Sequence, residues 1–161
     1  MNINNNITLG SSDLSSILSK WQATLCEAGI KKIEGSIVGD ATIFDNQLIP
    51  DTWQYNDFGN YYGAGACGLT FHQNLFYCSF RPGNVGAEAR FVGTDPDLPE
   101  IQFINEMRTG TSGSGDRGYI YGLPYAKTIY LRGTFPGGRS TFTITGALPE
   151  PAFFCAEAFT K

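Results

Sequence analysis

The sequence is short of the groups from which most catalytic sites are built. Among 161 residues there is one histidine, His72. A Ser–His–Asp or Cys–His arrangement would have only that residue to draw on, and no Ser or Asp signature accompanies it. His72 therefore reads as a structural residue. No G-x-S-x-G elbow occurs. The glycine-rich "TGTSGSGDRG" lacks the G-x-x-x-x-G-K-[ST] pattern and opens no helix, so it reads as a turn rather than a phosphate loop. The four cysteines, Cys26, Cys67, Cys78 and Cys155, include no C-x-x-C pair, which argues against zinc. No cofactor is expected. Cys67 and Cys78 could face each other across a hairpin, but free buried thiols acting as small apolar groups are the preferred reading. Cysteine usage leaves the redox compartment open.

Charge is also scarce. Asp, Glu, Lys and Arg make up 16% of the chain and the net charge is −4. No basic run exists to neutralise phosphates, which speaks against nucleic acid. No stretch approaches the roughly 20 apolar residues of a membrane span. The opening "MNINNNITLGSSDL" is polar and lacks the apolar segment of a signal peptide. Taken literally this describes a cytoplasmic protein; it fits equally a piece of a longer one.

What the chain does have is aromatics, at 14%, and twenty glycines. The first ordered element is a helix. Leu14, Ile17, Leu18, Trp21 and Leu25 repeat on one helical face. Ser11 or Ser12 is a suitable N-cap, Asp13 suits the first turn, and Gly29 suits the position just past the end. The spacing predicts a helix over 12–28. Ile37-Val38, ending in Gly39-Asp40, reads as a strand running into a turn. Beyond Leu69 the pattern becomes short strands and turns. "GLTFHQNLFYCSFRPG" reads as a hairpin about Gln73-Asn74. "AEARFVG", "IQFINEMRT", "YIYGLPY", "TIYLRGTF" and "STFTITGAL" read as strands, and "EPAFFCAEAFTK" as the beginning of a second helix. The expected fold is α+β, an amphipathic N-terminal helix packed on a largely antiparallel sheet with several hairpins. Two sub-lobes are expected, 1–68 with 140–161, and 69–139.

The stretch "DTWQYNDFGNYYGAGACGL" stands apart. It surrounds Asp57 with Trp53, Tyr55, Phe58, Tyr61 and Tyr62 and adds four glycines. A carboxylate amid rings suits an ammonium ligand, because the acid pairs with the charge and the rings offer cation–π faces. Glycines allow a ligand or another backbone to come close. The plainer alternative is that Asp57 caps a turn and the rings are core.

These residues also carry a family resemblance. "IKKIEGSIVGDATIFDNQLIPDTWQYNDFGNYYGAGACGL" resembles the central insert of the serine-type D-alanyl-D-alanine carboxypeptidase/endopeptidases of peptidase family S13, low-molecular-weight penicillin-binding proteins. The shared features are G-I-x-x-I-x-G-x-I-x-x-D, F-D, P-x-x-W, N-D and Y-Y-G-A. "NEMRTGTSGSGDRGYIYGLPY", "RGTFP" and "TGALPEPAFFCA" are similar to the same family, so the resemblance runs from about Ile7 to the end. It implies a catalytic domain split around the insert, with S-x-x-K before it and S-x-N and K-T-G after it. This chain has none of the three. "SSILSK" spaces Ser16 and Lys20 by four, and Arg108-Thr109-Gly110 would be a chance likeness of K-T-G. The resemblance implies that the chain itself is non-catalytic and that the parent enzyme acts on peptidoglycan stem peptides in the periplasm or cell envelope. It further implies that Asp57 meets the side-chain amino group of diaminopimelate and that Tyr62, where the family often has Phe, lines the same subsite. Two alternatives stand beside it: a stand-alone module for peptidoglycan or another amine ligand, and a purely structural domain.

Overall fold

The computed structural model describes residues 11–161, with the side chains of the first helix from Leu14 onward. Helix α1 spans Ser11–Glu27. The capping expected of Ser11 or Ser12, and the place of Asp13, lie outside the described side chains. The other end is as expected. Gly29 has φ +83°, its N–H donates to the Cys26 carbonyl at 3.0 Å, and the Ile30 N–H donates to Leu25 at 2.9 Å. This double closure needs a left-handed residue after the cap, the conformation glycine adopts without a Cβ penalty.

Six strands follow. They are β1 (Leu75–Arg81), β2 (Arg90–Asp95), β3 (Gln102–Gly110), β4 (Arg117–Tyr121), β5 (Thr128–Pro136) and β6 (Phe142–Ala147), and helix α2 (Pro151–Thr160) closes the chain. They form two three-stranded sheets, in the orders β2-β1-β6 and β3-β5-β4. The first sheet is antiparallel throughout. In the second, β4 and β5 are antiparallel, but β3 runs parallel to β5, from Gln102 against Thr128 to Gly110 against Pro136. The fold is thus α+β and mostly antiparallel, with one parallel pairing.

Alternation along the strands fixes the core. Phe76, Cys78 and Phe80 of β1 point inward, as do Ile129, Leu131 and Phe135 of β5; all six are fully buried. Met107, Ile120 and Ile144 join the same cluster, so one core lies between the two sheets. Gly146 of β6 and Gly118 of β4 sit where the sheets come close: a Cβ at Gly146 would crowd Ile120 of β4, and one at Gly118 would touch Ile144 of β6. Helix α1 lays Leu14, Ile17 and Leu18 on the edge of this core. Its Trp21 stacks on Phe71 at 5.8 Å and meets Phe159 of α2 edge-on at 5.4 Å.

Two sequence expectations do not survive. Ile37 and Val38 are in no strand, although the segment follows the expected pattern. It has no sheet partner among the described residues, and Val38 is 80% exposed. A β-branched pair favours a strand only where a neighbouring strand takes up its hydrogen bonds. Nor is there a hairpin about Gln73-Asn74. His72, Gln73 and Asn74 form a short 3₁₀ turn with φ of 52°, 56° and 57°. This left-handed turn leads into β1 from irregular chain. The hairpin partner of β1 is β2, on its other side in sequence. Cys67 and Cys78 therefore do not face each other across a hairpin, and both are free, buried thiols. Burial pushes the Cys78 thiol far above its ordinary range, because the charged form would be desolvated.

Candidate functional site

The ring-rich stretch forms a loop of successive turns laid across one end of both sheets. The Asp57 N–H donates to the Gln54 carbonyl at 2.9 Å, the Asn60 N–H to Asp57 at 3.1 Å, and the Gly63 N–H to Asn60 at 2.8 Å. A 3₁₀ turn over Tyr61–Gly63 ends the series. Two glycines permit this compaction: a Cβ at Gly63 would overlap the Asp57 carbonyl, and one at Gly59 the Ile120 carbonyl of β4. The loop thus folds on itself and docks on the strand at the same time.

Asn60 is the pin. It is 5% exposed. Its amide donates to the Asn56 carbonyl at 2.7 Å, and its Oδ1 accepts the Ile120 N–H at 3.0 Å. Its backbone bridges to Gly146 of β6, and the Ala147 N–H donates to the Gly59 carbonyl at 2.9 Å. Residues from both sheets therefore hold the loop. Asn60→Ala leaves a buried N–H on β4 without its acceptor, and should cost about 1–3 kcal/mol. Denaturant unfolding of the two proteins measures this directly, and an unchanged midpoint would contradict the pinning role.

Pinned in this way, the loop turns its rings outward. Tyr55 and Tyr61 are each 59% exposed and Tyr62 is 49% exposed. Trp53 is also exposed and Phe58 half-buried. The rings of this stretch are thus mainly surface, not core. Tyr61 meets Tyr62 edge-on at 5.1 Å, and Tyr55 lies against Tyr121 of β4 at 5.8 Å. Asp57 is half-buried among them. Among the described residues, no ion pair and no side-chain hydrogen bond engages its carboxylate. Tyr62 stands near enough to feel it: partial burial raises the Tyr62 hydroxyl above its ordinary pKa, and the charge of Asp57 raises it further. The phenol is thus protonated at neutral pH and can donate a hydrogen bond.

The structure brings Asp57 and Tyr62 into one surface, and adds two residues the sequence reading did not include. Tyr121 of β4 lies against Tyr55 of the loop and Tyr119 lies 6.3 Å from Tyr121, so the β4 rings continue this surface. Their Tyr-x-Tyr spacing within a strand puts both rings on one face, a signal present in the sequence. Asn60 has no such signal, since its partner lies sixty residues away.

The remaining sequence candidates lie elsewhere. The His72 ring nitrogen Nδ1 bonds the Leu75 carbonyl at 2.9 Å. Arg108 donates to the Gly86 carbonyl at 3.0 Å and the Thr109 hydroxyl accepts the Gly83 N–H at 2.9 Å, so both tie down the loop between β1 and β2. Among the described residues no group of three His, Cys, Asp or Glu side chains is placed to hold a metal ion. None of the described helices is long and apolar enough to cross a membrane.

This architecture has a counterpart in the crystal structure of penicillin binding protein 4 from Haemophilus influenzae, with a TM-score of 0.66 over 91% of this chain and 32% of that one. At 18% identity the likeness is one of fold. A D-alanyl-D-alanine carboxypeptidase from Actinomadura sp. (strain R39) is 26% identical over 159 residues, 96% of this chain. The chain spans 29% of that relative's length. The model of the D-Ala-D-Ala carboxypeptidase 3 (S13) family matches residues 5–161. The chain belongs to that family.

Proposed function

We propose that residues 1–161 are the non-catalytic insert of a serine-type D-Ala-D-Ala carboxypeptidase/endopeptidase and shape its substrate cleft. In this reading the catalytic serine and its lysine base, S-x-x-K, belong to polypeptide before the insert, and S-x-N and K-T-G to polypeptide after it. The parent enzyme works on peptidoglycan in the periplasm or cell envelope. It acylates its serine with the stem peptide, releasing terminal D-Ala or opening a cross-link, and water then frees the acyl group. The partners of the insert are the two catalytic parts of the same polypeptide and the stem peptide.

Within the insert, Asp57 takes the ammonium of the stem peptide's diaminopimelate side chain. The observation that carries this reading is a half-buried carboxylate with no internal partner, set among exposed rings in a chain of this family. An incoming ammonium supplies this carboxylate with an ion pair and gains from the ring faces. Tyr62 lines the subsite, and its protonated hydroxyl is free to donate to a peptide carbonyl. The test is the parent enzyme's D-Ala release from a stem peptide with its side-chain amine free or acetylated. Acetylation should lower kcat/KM by about tenfold to a hundredfold, the worth of one charged hydrogen bond. Equal rates would remove the amine subsite.

A further inference from the structure

The outer face of the β3-β5-β4 sheet is unlike an ordinary solvated strand surface. Its register sets Tyr121 opposite Tyr130, and Tyr119 opposite Arg132. Glu106 of β3 lies on the other side of Arg132. Tyr119 and Tyr130 are 39% and 38% exposed. The Tyr119 and Tyr121 rings lie 6.3 Å apart, and Tyr55 of the pinned loop extends the row from Tyr121. Arg132 stretches over Tyr130 at 4.8 Å and over Tyr121 at 5.8 Å, while its guanidinium pairs with Glu106. At the β3 edge the row opens into a groove of about 460 Å³, lined by Glu88, Asn105, Glu106, Arg108 and Arg132.

This combination selects a ligand chemistry. Arg132 lies over Tyr121 and Tyr130, which leaves the exposed rings of Tyr55 and Tyr119 to offer apolar area to a ligand with apolar faces. The cation site over Tyr121 and Tyr130 is already filled by Arg132, so a second ammonium gains little there. Arg132 and Glu106 neutralise each other, so the platform does not attract a strongly charged ligand. Nucleic acid is further disfavoured by the net charge of −4. What fits is an uncharged chain of rings with apolar faces and a polar rim, its hydroxyl and amide groups meeting the donors and acceptors of the groove. That describes an N-acetylated hexosamine polymer. Such a polymer also explains the continuity of the platform with the loop of Asp57, because a stem peptide entering that subsite hangs from a sugar strand.

We propose that Tyr55, Tyr119, Tyr121, Tyr130 and Arg132 form a sugar-binding platform that takes the glycan strand of the cell-wall polymer. The choice of polymer rests on the reading above, but the test does not depend on it. The 161-residue chain, with its tyrosine rings isotopically labelled, is titrated with the β-1,4-linked tetramer of N-acetylglucosamine and followed by NMR. Saturable shifts are expected at Tyr119, Tyr121 and Tyr130 with a dissociation constant on the order of 1 mM, and none at Tyr77. Tyr119→Ala should weaken binding about fivefold to tenfold through loss of one stacked ring, whereas Tyr119→Phe should keep it. Arg132→Gln, an exposed change that leaves the core untouched, should also weaken it. The tetramer has neither amine nor peptide, so Asp57→Asn should leave its binding intact; a failure of the amine subsite is therefore distinguishable from a failure of the platform. Absence of shifts up to about ten times that concentration, or shifts outside this face, would overturn the proposal. So would binding of single-stranded DNA in place of the sugar.

Discussion

Asp57→Asn in the parent enzyme should lower kcat/KM for the free-amine stem peptide by about tenfold to a hundredfold and leave the acetylated peptide unaffected. The substitution keeps the shape of the side chain and removes only its charge. Its backbone bonds to Gln54 and Asn60 are made by main-chain atoms, so the loop keeps its turns. The loss should therefore appear in the amine-bearing substrate alone. A double-mutant cycle, with protein charge on one axis and substrate charge on the other, isolates the pair. Equal losses for both peptides would mean that Asp57 holds the loop rather than the ligand. A β-lactam with no amine should acylate both proteins at the same rate, since the serine, lysine and oxyanion donors lie outside this chain in the insert reading.

Phe135→Ala should cost about 3–5 kcal/mol and lower Tm by about 10 °C. Phe135 is fully buried. It stacks on Phe142 of β6 at 4.7 Å and lies 5.4 Å from Phe80 of β1. It therefore joins the central strand of one sheet to two strands of the other. Its removal leaves a cavity where the sheets meet, and the neighbours are rings already packed against one another, which cannot collapse into it cheaply. The stability of a domain this size is on the order of 10 kcal/mol, so the loss is a large share of the whole. Thermal unfolding followed by near-ultraviolet circular dichroism measures it. A shift below about 3 °C would mean that the two sheets do not share this core.

The elements that sequence reading recovers are those set by local pattern. Helix α1 declares itself through Leu14, Ile17, Leu18, Trp21 and Leu25, and its end through Gly29. The strands β2 to β6 overlap the windows that alternation and turn residues mark, with shifted ends, and α2 begins at Pro151. What it misses is set by distant partners. Nothing in "IQFINEMRT" says that β3 lies parallel to β5 rather than beside β4. That neighbour is chosen by Ile129 and Leu131, whose burial makes β5 the central strand. The Ile37-Val38 pair has strand composition and no partner. His72, Gln73 and Asn74 adopt left-handed conformations, which only glycine and asparagine announce in a sequence.

The candidate site divides in the same way. Asp57 and Tyr62 were visible because composition is unusual around them. Asn60 was not, because one buried asparagine acquires meaning only when Ile120 and Gly146 arrive beside it. Tyr119 and Tyr121 were visible as a strand pattern, but their neighbourhood with Asp57 depends on the docking of Gly59 against β4.

The most direct measurement is labelling by a fluorescent penicillin, run on the 161-residue chain and on the parent polypeptide. The insert reading predicts a labelled parent and an unlabelled chain, because the nucleophile and its base lie in the flanking catalytic parts. A labelled 161-residue chain would place the acylated serine within these residues, and an unlabelled parent would remove the serine peptidase altogether.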